Sequence, residues 1–373
     1  MNPSEIQNPR SAIHTPQSAI NNSHSSICNP QSAIIKVLVV DDSSFMRKSL
    51  TYILESDDSI KVIDTAEDGI EAIKKVRELH PDVVLLDIEM PRMDGFTALR
   101  HIMSECPTPV LVISGLNKRD PAIAIKSLEH GAIDFIAKPS GVISYNIDQI
   151  KGEIIAKVKT AAGVDVRKLK LKLPGETFEK RWSQRTRKEI VVIGASTGGP
   201  RALVTVLSGL PRNIPTAILV VQHITQEFIP YLVDRFRWGC SLDVAVAEEG
   251  EILDHGRVLV APGLHTRIIQ EGDQKRISLV RESSHEFSSY SVNYAMESAA
   301  GAYGGGAMGV LLTGMGSDGA QGMKAIKNAG GGTIAEDQST CVVFGMPRVA
   351  IETGCVDRVV PLPDIAQAIM EMI

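Results

Sequence analysis

No apolar run in the 373-residue chain approaches the length that crosses a bilayer, roughly 18 residues, so no membrane insertion is expected. The first residues lack the apolar stretch of a secretory signal. The five cysteines (Cys28, Cys106, Cys240, Cys341, Cys355) are odd in number and scattered, without a Cys-x-x-Cys pair. That excludes a disulfide framework and a cysteine zinc site and fits a reducing, cytoplasmic setting. A strong charge is missing too: 39 Lys/Arg face 44 Asp/Glu, a formal −5, which argues against a nucleic-acid partner. What is present is ordinary for a globular protein, with 43% hydrophobic and 22% charged residues. The length suits two or three domains.

Residues 1–34 repeat with period seven: MNPSEIQ, NPRSAIH, TPQSAIN, NSHSSIC and NPQSAI. One Ile per unit cannot build a helical seam, and Pro in most units removes the helix option. A disordered tail is predicted. From 35 to 160 apolar runs alternate with helical patterns. IKVLVVDD (35–42), KVIDTA (61–66), DVVLLD (82–87), PVLVIS (109–114) and DFIAKP (134–139) read as strands, which implies a doubly wound parallel sheet. A basic linker is expected over 161–188; its stretch 165–188 holds nine Lys/Arg against three Asp/Glu. A second α/β block, 189–373, has candidate strands at 190–194, 216–222, 257–261, 277–280 and 307–313.

Asp41 and Asp42 close the first strand and Asp87 the third. With the usual order 2-1-3-4-5 these strands are neighbours, and their carboxyl ends share the edge where such folds bind ligands. Three carboxylates there repel one another unless a cation joins them, and a hard, oxygen-liganded ion such as Mg²⁺ is the natural candidate. Ser114 ends the fourth strand and Lys138 reaches the same edge from the fifth. The set fits phosphoryl transfer onto Asp87 as the nucleophile, giving an acyl phosphate. VVDDS (39–43), LLDIEMPRMDG (85–95) and AKPSG (137–141) resemble response-regulator receiver domains. Phe135 stands where many receivers have a switch tyrosine, so no hydroxyl-dependent switch is expected.

In the second block, VVIGASTGGPRALVTVL (191–207) runs strand, Gly-rich turn, helix. A GxxxxGK[ST] phosphate loop fails because Pro200 follows Gly199. A dinucleotide fingerprint would need Gly at Ser196 and an acid about 20 residues on, whereas the next acid after Glu189 is Glu227. Gly194-x-Ser196-x-Gly198 instead reads as a nucleophile elbow, exposing Ser196 at a helix N-terminus near oxyanion-stabilising N–H groups. A serine hydroxyl needs a base. His223, ending the apolar run AILVVQHI (217–224), reaches the same edge in a parallel sheet. Asp318, in the Gly-rich turn after AMGVLL (307–312), would orient that base, although GMGSDG also reads as a tight turn with a capping Asp. The order Ser, His, Asp differs from that of α/β-hydrolases, so a different fold with convergent chemistry is expected.

GASTGGP, QHI, LLTGMGSDGA and VVFGMP (342–347), joined to a receiver, resemble the chemotaxis protein-glutamate methylesterase (CheB) family over about 35–371. The resemblance implies a flavodoxin-like receiver and a Rossmann-like methylesterase domain. It makes Ser196, His223 and Asp318 the triad and Asp87 the phosphorylation site, and sets Thr197 and Met315 beside the nucleophile, with the Met315 backbone N–H as an oxyanion donor. It further implies methyl-accepting chemoreceptors as substrate, deamidation of receptor glutamines by the same acyl chemistry, a histidine kinase as phosphodonor, and no cofactor for the ester step. The chain departs from the family pattern at Leu264, Asn293 and Thr225–Gln226, which flank the triad and bear on substrate preference more than on reaction type. Rival readings are a DNA-binding response regulator and a non-catalytic or nucleotide-binding output. Against the first, 189–373 carries a net −7 and no helix-turn-helix pattern.

Overall fold

Strands that read as unbroken apolar runs need cover on both faces, and the helices between them supply it. A computed structural model describes residues 34–114, 120–138, 147–167, 188–280 and 291–373. The repeat tail up to residue 33, residues 168–187 of the basic linker and residues 139–141 of the AKPSG motif lie outside the described residues. Among the described residues, no helix is long and apolar enough to cross a membrane.

The first sheet contains β1 (Ile35–Val40), β2 (Ile60–Ala66), β3 (Val83–Asp87), β4 (Val110–Ser114) and β5 (Asp134–Ala137), all parallel, in the expected order β2-β1-β3-β4-β5. Its helices are α1 (Ser44–Leu54), α2 (Gly69–Leu79), α3 (Gly95–Glu105), α4 (Asp120–Glu129) and α5 (Ile147–Ala162). Ser43, Asp68 and Asp94 start three of them by accepting N–H bonds from Met46, Glu71 and Thr97. β3 is buried along its whole length, Asp87 included. Packing continues a little past the expected boundary at 160: α5 runs to Ala162, and Val164 is still buried.

The second part contains β6 (Ile190–Ala195), α6 (Gly199–Ser208), β7 (Ala217–Gln222), α7 (Ile229–Gly239), β8 (Asp243–Val246), β9 (Arg257–Val260), β10 (His265–Glu271), β11 (Gln274–Val280), α8 (Val292–Tyr303), β12 (Ala307–Leu311), α9 (Ala320–Asn328), β13 (Gly332–Glu336), α10 (Met346–Glu352), β14 (Arg358–Val360) and α11 (Ile365–Met372). Seven strands form a parallel sheet in the order β14-β13-β12-β6-β7-β9-β8. β6 pairs with β7 on one side and with β12 on the other, so the chain changes direction across the sheet at β6. The loops leaving these three carboxyl ends bound the crevice in which open α/β sheets bind ligands.

The strand expected at 277–280 exists, but outside this sheet. It is part of β11, which pairs antiparallel with β10 in a separate hairpin. The two-residue link Gly272-Asp273, with Gly272 at φ 61, makes the tight turn. The hairpin's apolar residues Ile268 and Ile277 are buried in a core that includes Ala295, Met296 and Ala299 of α8.

Candidate active site

The receiver-type edge is built as its strands require. Asp41 and Asp87 are buried and Asp42 is exposed. Each of the three offers a carboxylate oxygen, and these oxygens lie within 4.8 Å of one another. Lys138 Nζ sits 2.8 Å from Asp87 Oδ2 and 3.0 Å from Asp41 Oδ2. Ser114 is next to it across the ladder, its carbonyl accepting the Lys138 N–H at 2.7 Å. Burial pushes the Asp87 carboxyl up to about 6; the Asp41 charge adds to this, while Lys138 and the Ile88 N–H pull it back. Asp41 Oδ2 and Asp87 Oδ2 are buried and face Lys138 Nζ, with no further polar partner among the described residues. Two such oxygens facing one ammonium, with a third carboxylate beside them, fit a hard divalent cation.

At the other sheet the chain turns sharply after β6. Gly198 adopts φ 79 and caps α6 without a side chain, a conformation that favours glycine. Ser196 is partly exposed between strand and helix. Its N–H donates to Thr313 O at 3.0 Å, which ties it to the loop after β12. The His223 N–H donates to Ala195 O at 2.9 Å, which ties the residue after β7 to the residue before Ser196. His223 Nε2 is 2.8 Å from Asp318 Oδ2. The predicted serine, histidine and aspartate therefore leave three adjacent strands at one edge.

Asp318 is held by more than the imidazole. Its carboxylate accepts the Ser291 hydroxyl at 2.9 Å, the Val292 N–H at 2.7 Å, the Asn293 N–H at 2.9 Å and the Gly319 N–H at 3.0 Å. The first three place it at the N-terminus of α8, where unsatisfied N–H groups and the helix dipole favour an anion. Burial alone would raise its pKa, but the His223 bond and these N–H groups prevail and hold it at about 2. The loop beneath is braced by the VVFGMP segment. Gly314 N–H donates to Val343 O, and Gly314 O accepts from Gly345 and Met346. The Thr313 hydroxyl bonds Thr197 O at 3.0 Å, and the Thr313 N–H bonds the buried Glu336 carboxylate at 2.8 Å. Asn293, one of the departures from the family pattern, uses its side chain to accept the Gly322 N–H in the first turn of α9, at 2.8 Å.

The two sheets meet at the turn that bears Ser196. The Thr197 hydroxyl donates to Asp134 Oδ2 of β5 at 2.9 Å, and the Thr160 hydroxyl of α5 donates to Met315 Sδ at 2.9 Å. Phe135 is buried with its ring centroid 4.3 Å from that of Phe228, and Glu129 of α4 pairs with Arg235 of α7. Thr197 and Met315, both singled out beside Ser196, are thus gripped by the first sheet.

Together these features define a class: a response-regulator receiver sheet joined to an output sheet that sets a serine, a histidine and an aspartate at one edge. Residues 191–369 match the CheB methylesterase family, and residues 37–144 the response regulator receiver domain. A protein-glutamate methylesterase/protein-glutamine glutaminase from Pyrococcus abyssi is 44% identical over 344 residues, covering 91% of this chain and 94% of that one. The protein of the same name from Symbiobacterium thermophilum is 44% identical over 350 residues, covering 90% and 96%. Among solved structures, the Thermotoga maritima CheB methylesterase catalytic domain aligns at 39% identity and TM-score 0.48, covering 50% of this chain and 99% of that chain. The chain belongs to the CheB protein-glutamate methylesterase/protein-glutamine glutaminase family. It is a chemotaxis hydrolase with a response-regulator receiver, and an output that merely binds nucleotide is not favoured.

Several residues that shape this edge went unremarked in the sequence. Ser291 could have been found as the helix cap before VNYAM, but nothing local says that Asp318 docks there. Asp134 reads as an ordinary strand-start acid, and Glu336 as a surface residue. The docking of Asp318 has a measurable consequence. A group with a lowered folded pKa stabilises fully above its ordinary value of 3.8 and loses that contribution as pH falls toward 2. Asp318→Asn is expected to lower stability at neutral pH by on the order of 2 kcal/mol and to flatten the acid limb. Urea unfolding followed by circular dichroism from about pH 5 to about pH 2.5 checks this; equal pH slopes in the two proteins contradict it.

Proposed function

We propose that Ser196, His223 and Asp318 carry the hydrolysis, on methylated glutamyl side chains of methyl-accepting chemoreceptors in the cytoplasm. The observation that carries the reading is the 2.8 Å bond between His223 Nε2 and Asp318, at the edge where Ser196 is tied to the loop bearing Asp318. With Nε2 facing the acid, the proton of the Ser196 hydroxyl passes to Nδ1. The Ser196 oxygen then attacks the ester carbonyl carbon. The Met315 N–H and the turn at Thr197 stabilise the oxyanion. Collapse of the tetrahedral intermediate returns the proton from His223 to methanol as it leaves. Water, deprotonated by His223, cleaves the glutamyl-enzyme and frees the carboxylate. A glutamine amide follows the same path with ammonia leaving. Asp318 stays ionised throughout and stabilises the imidazolium. This path asks for no cofactor.

On this reading the receiver is 35–160, the linker 161–188 and the methylesterase domain 189–373, with no role for nucleic acid or membrane insertion. A histidine kinase supplies the phosphoryl group to Asp87, with Ser114 and Lys138 holding the product. A Mg²⁺ ion bound by Asp41, Asp42 and Asp87 would neutralise the phosphoryl oxygens there. The grip of β5 and α5 on Thr197 and Met315 supports a receiver that restrains the esterase until Asp87 is phosphorylated and the population shifts.

Ser196→Ala is expected to lower release of labelled methanol from methylated receptor by about a thousandfold or more; a loss below tenfold contradicts the triad. Asp87→Asn is expected to keep basal hydrolysis and abolish the response to a phosphodonor such as acetyl phosphate. An unchanged response rejects the coupling. Asp134→Ala removes the bond to Thr197, and its basal rate is expected to rise about tenfold to a hundredfold, as the loss of one hydrogen bond to a charged group allows. A basal rate equal to wild type would show that this contact does not restrain the enzyme.

A further inference from the structure

The ladder between β6 and β7 ends one residue short of the nucleophile. Ala195 pairs with Gln222, and the last backbone bond is His223 N–H to Ala195 O. The Gln222 side chain extends the tie. It is 3% exposed, and its amide nitrogen donates to Ser196 O at 2.9 Å and to His223 O at 3.2 Å. Two carbonyl acceptors fix the amide's orientation, because turning it over would face oxygen to oxygen. Its own Oε1 is buried with no hydrogen-bond partner among the described residues, a cost to folding that an apolar side chain of the same length would not carry. The neighbouring chain makes room for it: a Cβ on Gly199 would come within 2.1 Å of Oε1, so the third glycine of GASTGGP lets the amide slide under the first turn of α6.

We infer that Gln222 is a positioning residue that sets the separation of nucleophile and base by clamping the Ser196 and His223 carbonyls with one NH₂ group. It touches neither substrate nor reacting atoms and acts through the two residues it bridges. The inference rests on the proposed roles of Ser196 and His223.

The test is steady-state hydrolysis of methylated receptor by the full chain. Gln222→Met keeps the length and loses both donors; its kcat is expected to fall about tenfold to a hundredfold, as small misplacements of reacting groups do, with KM within about twofold. Gln222→Glu keeps the shape but, when ionised, offers only acceptors to two carbonyls; protonation restores one donor. Its activity relative to wild type is therefore expected to climb as pH is lowered from about 8 to about 5.5, a signature that a merely structural residue would not give. A Gln222→Met kcat within twofold of wild type overturns the inference, as does a flat Gln222→Glu to wild-type ratio. The pH series decides the matter if the Met variant does not fold. Ser196→Ala, assayed alongside, separates the two levels: residual turnover within tenfold of wild type removes the triad itself, whereas an inactive Ser196→Ala with a wild-type Gln222→Met removes only the clamp.

Discussion

The carboxylate of Asp318, seated on the first turn of α8, is the interaction on which the output site depends. It gathers four donors from Ser291, Val292, Asn293 and Gly319 as well as the His223 ring. A largely buried anion remains ionised when charge-assisted bonds of this kind replace most of its water. Those bonds also decide geometry. They fix the loop after β12 against α8, and the same loop holds Ser196 through Thr313 and His223 through Asp318. Electrostatic satisfaction of one side chain therefore places three chain segments that are far apart in sequence.

The strands closest to this centre were the most legible in the sequence. Continuous apolar runs leading into Asp87, Ser196 or His223 read as buried parallel strands with polar groups at the carboxyl end, and the sheet order β2-β1-β3-β4-β5 is the usual one expected for such a fold. β8, β13 and β14 were not legible. Asp243–Val246 and Arg358–Val360 carry charged or exposed residues, and Gly332–Glu336 mixes Gly, Thr and Glu, so none shows the apolar run that marked β5 and β9. β11 was seen as a strand but not as half of a hairpin, because its pairing is set by the Gly272-Asp273 turn rather than by its own alternation. Ser291, Gln222 and Asp134 show a different limit. Their roles consist of contacts to residues 27, 26 and 63 positions away, and no local pattern encodes a long-range hydrogen bond.

The same distinction explains the departures from the family pattern. Asn293 was weighed as a residue bearing on substrate preference, yet its side chain is spent on the α9 N–H of Gly322 while its backbone serves Asp318. One residue thus joins the starts of two helices, and an amide oxygen does the capping as well as a carboxylate would. Phe135 lacks a switch hydroxyl, but its ring is committed to Phe228 of the esterase part, so this position couples the sheets by packing rather than by a hydrogen bond.

The strength of that coupling fits a switch better than a permanent joint. A charge-assisted hydrogen bond such as Thr197 to Asp134 contributes about 1.5–3 kcal/mol, and an aromatic pair such as Phe135 with Phe228 about 0.5–1.5 kcal/mol beyond its buried area. The Glu129–Arg235 pair, part-exposed on both sides, adds little. A sum of a few kcal/mol keeps the closed arrangement dominant by a factor of tens to thousands, and moving such an equilibrium takes a differential of about 5 kcal/mol or less. Lys138 lies one residue beyond β5, the strand that presents Asp134 and Phe135 to the esterase part, so the carboxylate edge and both contacts share one four-residue strand. An interface with a larger apolar core would cost more to open, at about 25 cal/mol per Å² of apolar surface returned to water, whereas this one rests mainly on a few directional contacts that can be exchanged one at a time.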